Sequence, residues 1–264
     1  MVANRTYRLL SDRNPGLIEW MDRPYCDPVM LHNTYRYFPV INRLISRWDA
    51  VYRHQIRPRL SKQRRYRLLD VGSGGGDITR NIHKWAVRDG FLLDVTGIDP
   101  DPRAHEYARS AAIGNARSAS TSSGDSREQD GLRFLQTDTS RLRREGATFD
   151  FVVCNHVLHH LPDEGLAGFL DDLSALATRT IICSDIERSA IGYFLFSIAT
   201  WPLFPNSFIR ADGLISIRKS FRAGELRAIV PQGWDVIRQF PFRLLLIFDK
   251  QPGDRQAGIH HGSR

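Results

Sequence analysis

Leu68-Leu69-Asp70-Val71-Gly72-Ser73-Gly74-Gly75-Gly76-Asp77 reads as a buried strand running into a glycine-rich turn and then a helix. Glycines at such a turn tolerate positive φ and let a ligand approach the backbone. The spacing departs from the dinucleotide fingerprint G-x-G-x-x-G, because Asp77 stands where the third glycine belongs. A carboxylate at the start of the next helix is a poor neighbour for a pyrophosphate, which seeks the same positive helix end. It suits a cationic or amino-bearing ligand, or else it caps the helix. Asp70, just before the turn, is placed to accept from an ammonium group or to hold the turn's amides.

Outward from this stretch the rhythm repeats. Strands are expected at 67–71, 92–98, 132–136, 149–154 and 180–184, with helices at 77–88, 102–113 and 166–177. Runs rich in Val, Ile and Leu between helices predict an α/β fold with a mostly parallel, doubly wound, Rossmann-like sheet. Right-handed crossovers gather the strand C-termini along one edge, where open sheets bind ligands. Segments 234–237 and 244–248 add a terminal antiparallel hairpin. Residues 1–65 are expected as an N-terminal helical cap, and 66–250 as the ligand-binding domain. Within that domain 114–131 lacks apolar anchors and is expected as a mobile loop. The tail 251–264 is expected to be disordered.

The chain has 264 residues, 42% hydrophobic and 25% charged, which excludes collagen-like and wholly disordered classes. Three cysteines, Cys26, Cys154 and Cys183, are too few for a disulfide scaffold and point to reduced thiols in a cytoplasmic setting. No C-x-x-C spacing suggests a metal, and the start MVANRTYRLL has no apolar core of a signal peptide. Residues 1–67 hold 14 Lys and Arg against 5 Asp and Glu, a charge of +9 within a total of +8. The run Arg57, Arg59, Lys62, Arg64, Arg65, Arg67 is either a solvated face or a surface for a polyanion. Residues 189–209 carry no formal charge, but Pro202 and Pro205 interrupt a spanning helix. An apolar lid or pocket wall over 189–220 is the preferred expectation, ahead of plain core or peripheral membrane contact.

Polar residues stand at successive strand tips. Asp99 and Pro100 follow the second strand, where a carboxylate can accept from ribose hydroxyls. Asp138 and Thr139 follow the third, where they read an adenine edge or cap a helix. Asn155 and His156 leave the fourth, with His159 and His160 just beyond and Asp185 after the fifth. Asp150 opens the fourth strand and is expected to be structural.

The series DVGSGGGD, GIDPD, TDT and FDFVVCNHVLHHLP resembles class I S-adenosylmethionine-dependent methyltransferases over residues 66–190. The N-terminal LIEWMDRPYCDP and LHNTYRYFPVINRLIS are similar, less specifically, to bacterial small-molecule methyltransferases of the quinone and polyketide type. The resemblance implies S-adenosyl-L-methionine as cofactor. Asp70, Gly72, Ser73 and Gly74 would hold its methionine moiety, with Asp77 beside it and Asp99 with Pro100 at the ribose. Asp138 and Thr139 would meet the adenine, and Asn155 with His156 would lie beside the sulfonium. A phenol or enol acceptor also needs a base, for which His159 and His160 are the candidates, although each also has a structural reading. The implied reaction is methyl transfer to oxygen or activated carbon of a lipophilic aromatic, quinone-like or polyketide molecule. The alternatives are an RNA or protein acceptor met by the basic N-terminal segment, and a non-catalytic cofactor-binding module. Nicotinamide-dependent oxidoreduction is disfavoured by Asp77.

Overall fold

The computed structural model describes residues 10–119 and 131–250. Seven strands make one sheet: β1 (Arg65–Val71), β2 (Leu92–Asp99), β3 (Leu132–Gln136), β4 (Phe149–Asn155), β5 (Ala177–Ile186), β6 (Asp235–Gln239) and β7 (Arg243–Asp249). Their order is β3-β2-β1-β4-β5-β7-β6. The first five run parallel, and the β6–β7 hairpin joins β5 antiparallel. The order reverses between β1 and β4, which opens a crevice at their C-terminal ends. The expected sheet and hairpin are therefore present, each strand lying within three residues of its expected bounds.

Alternation along the strands divides the core. Leu69 and Val71 of β1 and Val152 and Cys154 of β4 face one layer, with Leu166, Leu170 and Leu173 of α6 (Asp163–Leu176). Leu68, Phe151 and Val153 face the other, with Ile78 and Ile82 of α3 (Asp77–Arg88). Burial of both faces explains why these strands read as continuous apolar runs.

The N-terminal segment helps build that second layer. Helix α1 (Pro28–Ile41) starts where Asp27 accepts from the Val29 and Met30 amides at 2.8 and 3.0 Å. It passes through a wide turn at Asn42–Ser46 into α2 (Trp48–Val51). Trp48, Val51, Tyr52 and Ile56 are all buried in the core beneath α3. Among the described residues helix begins at Pro28; residues 10–27 are turns, bends and irregular chain. Helix α4 (Pro102–Ala119) runs six residues past its expected end. The remainder of the expected mobile loop, 120–130, and the tail 251–264 lie outside the described residues.

The uncharged run 189–209 divides into α7 (Ala190–Thr200), a turn carrying both prolines, and the start of α8 (Ile209–Lys219). No helix among the described residues is long and apolar enough to cross a membrane. The basic run lies at the opposite edge of the sheet from the crevice. There Arg57 pairs with Asp89 (2.9 Å), Arg59 with Asp249 (2.6 Å), Arg64 with Asp150 and Arg65 with Asp94 (2.6 Å). Asp150 also accepts from the Arg67 amide at 3.0 Å, the structural role expected of it. Two short helices, α5 (Thr139–Arg144) and α9 (Ala223–Ile229), complete the chain.

One glycine of the turn is fixed by packing as well as by backbone. Gly76 has φ +71°, and a Cβ there would come within 2.5 Å of the Phe134 ring. Gly76→Ala is expected to destabilise the fold by about 2–4 kcal/mol, from the left-handed backbone and overpacking together. Urea unfolding checks it; an unchanged midpoint would contradict this packing.

Candidate active site

A cavity of about 710 Å³ opens at the C-terminal edge of the sheet. Its floor is the β1 turn and the β2 and β4 tips, with Asp70, Gly72, Ser73, Gly74, Asp77, Asp99, Pro100, Asn155 and His156 all in its lining. The cavity thus collects nine of the eleven residues assigned to the cofactor by resemblance.

Three acids line this floor without a cation. Asp70 accepts from Thr79 Oγ1 at 2.7 Å, and burial, reinforced by Asp77 and Asp99, raises its pKa to about 7. Asp77 is the first residue of α3 and does not cap it; the residue before the helix is Gly76. Its two carboxylate oxygens accept from Asn42 Nδ2 at 3.3 and 3.1 Å, and burial pushes its pKa up. Asp99 accepts from the Gly74 amide at 2.9 Å through one oxygen and from the Asp101 amide at 2.9 Å through the other. Burial also raises Asp99. Among the described residues no Lys, Arg or His nitrogen lies within 4.0 Å of these carboxylates in an ion pair. A Cβ built on Gly74 would meet no atom within 4 Å, so the turn leaves open space beside the acids. An uncompensated acidic cleft with an open glycine fits a cationic ligand such as the amino-sulfonium of S-adenosylmethionine.

Asp138 and Thr139 stand apart from the cavity lining. Asp138 accepts from the Arg141 amide at 2.8 Å and caps α5, while Thr139 is buried against Asp172 at 3.4 Å. The capping alternative is what their hydrogen bonds show; the side chains make no approach to the cleft.

Behind the floor runs a polar network that the residue patterns did not announce. Arg243, fully buried on β7, donates to Asn155 Oδ1 (2.7 Å) and Ser184 Oγ (2.8 Å), and its Nη1 lies 3.0 Å from His156 Nε2. Asn155 donates to Asn42 Oδ1 (3.3 Å), which also accepts from Ser46 (2.8 Å), and Ser46 Oγ is 3.1 Å from His156 Nε2. His156 has φ +60°, and burial and Arg243 lower its pKa well below the usual imidazole range. The ring is therefore neutral near pH 7, with Nε2 as the acceptor facing Arg243.

The two remaining histidines differ. His159 is buried, with Nδ1 2.7 Å from Asp185 and Nε2 3.3 Å from Glu19. Burial opposes its charge, but the two acids outweigh it and raise the pKa to about 9. Glu19 and Asp185 are held well below the usual carboxylate range despite burial, chiefly by His159. His159 is accordingly an ion-paired cation near neutral pH. His160 is one-third exposed, with Nδ1 3.0 Å from Lys219 Nζ and 3.4 Å from Asp22, and Nε2 3.7 Å from Glu19. The groups Glu19–His159–His160 and His156–His159–Asp185 have metal-like spacing, but Lys219 or Arg243 already faces each.

Away from this polar end the walls are apolar. Phe38, Leu44 and Ile45 contribute from the N-terminal segment, and Leu195, Phe196, Leu203 and Phe204 from the stretch after β5. Those wall segments are joined: the Tyr37 and Phe204 rings meet at 5.3 Å, and the Phe208 amide donates to Thr34 Oγ1 at 2.9 Å.

A family model described as a methyltransferase domain matches residues 42–228. The ubiquinone biosynthesis O-methyltransferase of Methylocella silvestris is 34% identical over 112 residues, covering 42% of this chain and 35% of that enzyme. The match thus spans about a third of the length of that curated relative. Among solved structures, the plantazolicin methyltransferase BpumL in complex with SAH superposes with a TM-score of 0.59 at 13% identity, covering 95% of this chain and all of that one. A SAM-dependent methyltransferase from Aquifex aeolicus gives 0.52 at 15% identity over 84% and 98%. These superpositions establish the fold. The family match covers most of the chain, so this protein belongs to that methyltransferase-domain family.

Proposed function

We propose that the protein transfers the methyl group of S-adenosylmethionine to an oxygen or activated carbon of a lipophilic aromatic, quinone-like or polyketide small molecule. The observation that carries this reading is the single cavity, acidic where the cofactor would lie and apolar beyond it. An enclosed apolar wall selects a small ring or tail. The position of the basic run favours this over an RNA or protein acceptor, since it lies at the far edge of the sheet and Arg57, Arg59, Arg64 and Arg65 are ion-paired there.

S-adenosylmethionine supplies an activated methyl on a sulfonium, so the transfer needs no further activation of the leaving group. The chain's residues bind, align and exclude water. Asp70 and Asp77 would hold the cationic end, the Gly72–Gly74 backbone would let it approach, and Asp99 would offer its remaining lone pairs to the ribose. Asn155 and His156, held by Arg243, form the rigid floor beneath the reacting centre. Of the two base candidates, His160 alone combines cavity lining with exposure; His159 is already protonated near neutral pH. His160 would accept the proton of a hydroxyl acceptor, while the cofactor would supply the methyl group that replaces it. Glu19 and Asp22 stabilise the resulting imidazolium, and Lys219 opposes it. His159, fixed by Glu19 and Asp185, positions its neighbour.

Four measurements test this reading. Asp99→Ala should weaken cofactor binding at least tenfold, about 1.4 kcal/mol, by calorimetry; an unchanged Kd would remove Asp99 from the ribose. Asp70 carries a raised pKa, so its ionisation destabilises the empty protein as pH rises from about 4 through about 7. Asp70→Asn should therefore raise Tm at pH 8 more than at pH 5, each ~1 kcal/mol being ~2–4 °C in a chain this size, while weakening cofactor binding. A lower Tm at pH 8 would contradict the buried-charge account. The raised pKa of His159 has the opposite sign: its ion pairs stabilise fully below about 6.5 and are lost as pH climbs through about 9. His159→Gln should flatten that alkaline loss in a Tm-against-pH series. Finally, with phenolic, quinol and polyketide acceptors screened for methyl incorporation, His160→Ala should cut kcat about a hundredfold with cofactor Kd unchanged. Cofactor binding without methyl transfer to any of the three classes would overturn the substrate assignment.

A further inference from the structure

The outside of the cavity wall is as apolar as its inside. Helix α7 exposes Ile191 (67%), Phe194 (60%), Leu195 (51%) and Ile198 (56%), spaced i, i+3, i+4, i+7 and hence on one outward face. Trp201 (79%) and Leu203 (59%) extend this face through the following turn, and Leu44 (63%) joins it across the opening. Leu44, Leu195 and Leu203 also line the cavity, so its mouth opens inside the patch. Soluble surfaces scatter such residues; a contiguous apolar face around an entrance marks an interaction site.

The two segments that carry the patch are basic. Residues 33–48 and 189–211 contain Arg36, Arg43, Arg47 and Arg210 and no Asp or Glu. Arg210 lies beside the patch, with its guanidinium 5.8 Å from the Trp201 ring and bonded to Ser197. Arg43 precedes Leu44, and among the described residues neither Arg43 nor Arg210 has an acidic side chain within ion-pair distance. A second copy docking here across a two-fold axis would bring these arginines against one another with no acid in either segment to receive them. Aromatic and aliphatic side chains outward with arginines at the rim instead match an anionic lipid surface, where rings enter the interface and guanidinium groups meet phosphates.

We propose that α7 and the turn after it dock this protein onto an anionic bilayer, so that the cavity mouth faces the hydrocarbon and a lipophilic acceptor enters without crossing water. The docking itself stands on the surface alone; only the entry route rests on the proposed substrate class.

The test is flotation of the full chain with vesicles of phosphatidylcholine alone or mixed with phosphatidylglycerol. Binding to the mixed vesicles is expected, at least about tenfold stronger than to phosphatidylcholine and weakened by salt. Phe194→Ser with Ile198→Ser, both exposed and outside the cavity lining, should abolish binding while leaving Tm and cofactor affinity unchanged. Arg43→Glu with Arg210→Glu should remove the preference for the anionic lipid. Absence of binding to both vesicle types would overturn the proposal. So would a dimer in light scattering that the Phe194 and Ile198 substitutions dissociate, because the patch would then be covered by a second copy. Neither reading depends on turnover, so failure of the substrate screen leaves this result standing.

Discussion

Three carboxylates taken out of water without a cation govern this molecule. Asp70, Asp77 and Asp99 are each hydrogen-bonded, but none is ion-paired, and each is pushed towards its neutral form by burial. Burying such groups ionised costs the fold several kcal/mol. Two apolar layers on the faces of the sheet, built from β1 and β4 outward, offset that cost. A cation arriving in the cleft recovers it, because the acids are already desolvated and aimed. The cleft therefore binds by relieving a conflict that folding created.

The polar network behind the floor shows how distant parts of the chain share that conflict. Asn42 and Ser46 come from the N-terminal segment, Asn155 and His156 from the exit of β4, and Arg243 from the final strand. Asn42 bridges Asp77 to Asn155, so the wall of the substrate compartment and the floor of the cofactor cleft are held by one amide. Burial lowers the pKa of Arg243 only to about 10, and it stays protonated across the physiological range. Burial, with this charge beside it, keeps His156 neutral. The network thus orients groups, while the proposed base His160 stands beside Glu19 and Lys219 at the other end.

The parallel sheet was legible because strands buried on both faces leave unbroken apolar runs, and the glycine turn because its φ values demand such residues. The strand-tip acids followed from topology alone. Asp99 shows the limit of reasoning from one residue: a carboxylate between Ile98 and Pro100 does need donors, but the Gly74 and Asp101 amides supply them within the protein. Asp138 was ambiguous because a helix start and an adenine edge call for the same residue type. Helices α5 and α9 are too short for a periodic signal. Glu19 and Asn42 lie inside the N-terminal stretches LIEWMDRPYCDP and LHNTYRYFPVINRLIS, but no spacing connects them to the strand tips, and Arg243 lies outside every motif. Arg243 carries the one available hint, since a cation ahead of Leu244-Leu245-Leu246-Ile247 on a buried strand requires polar partners somewhere.

Charge counting alone does not say where on the molecule the excess acts, and the reason is physical. An excess of +9 in the first 67 residues suggests a surface for a polyanion. Folding spends Arg57, Arg59, Arg64 and Arg65 on pairs with Asp89, Asp249, Asp150 and Asp94. Exposed pairs of this kind add only ~0–1 kcal/mol each, yet each places a negative charge against one of those four arginines. Of the arginines left without acids, Arg67 stays at that edge over the Phe149 ring, while Arg43 and Arg210 stand on the other side, around an apolar entrance. What acts at long range is the unpaired remainder, and its position, rather than the sum over the sequence, decides what the charge attracts.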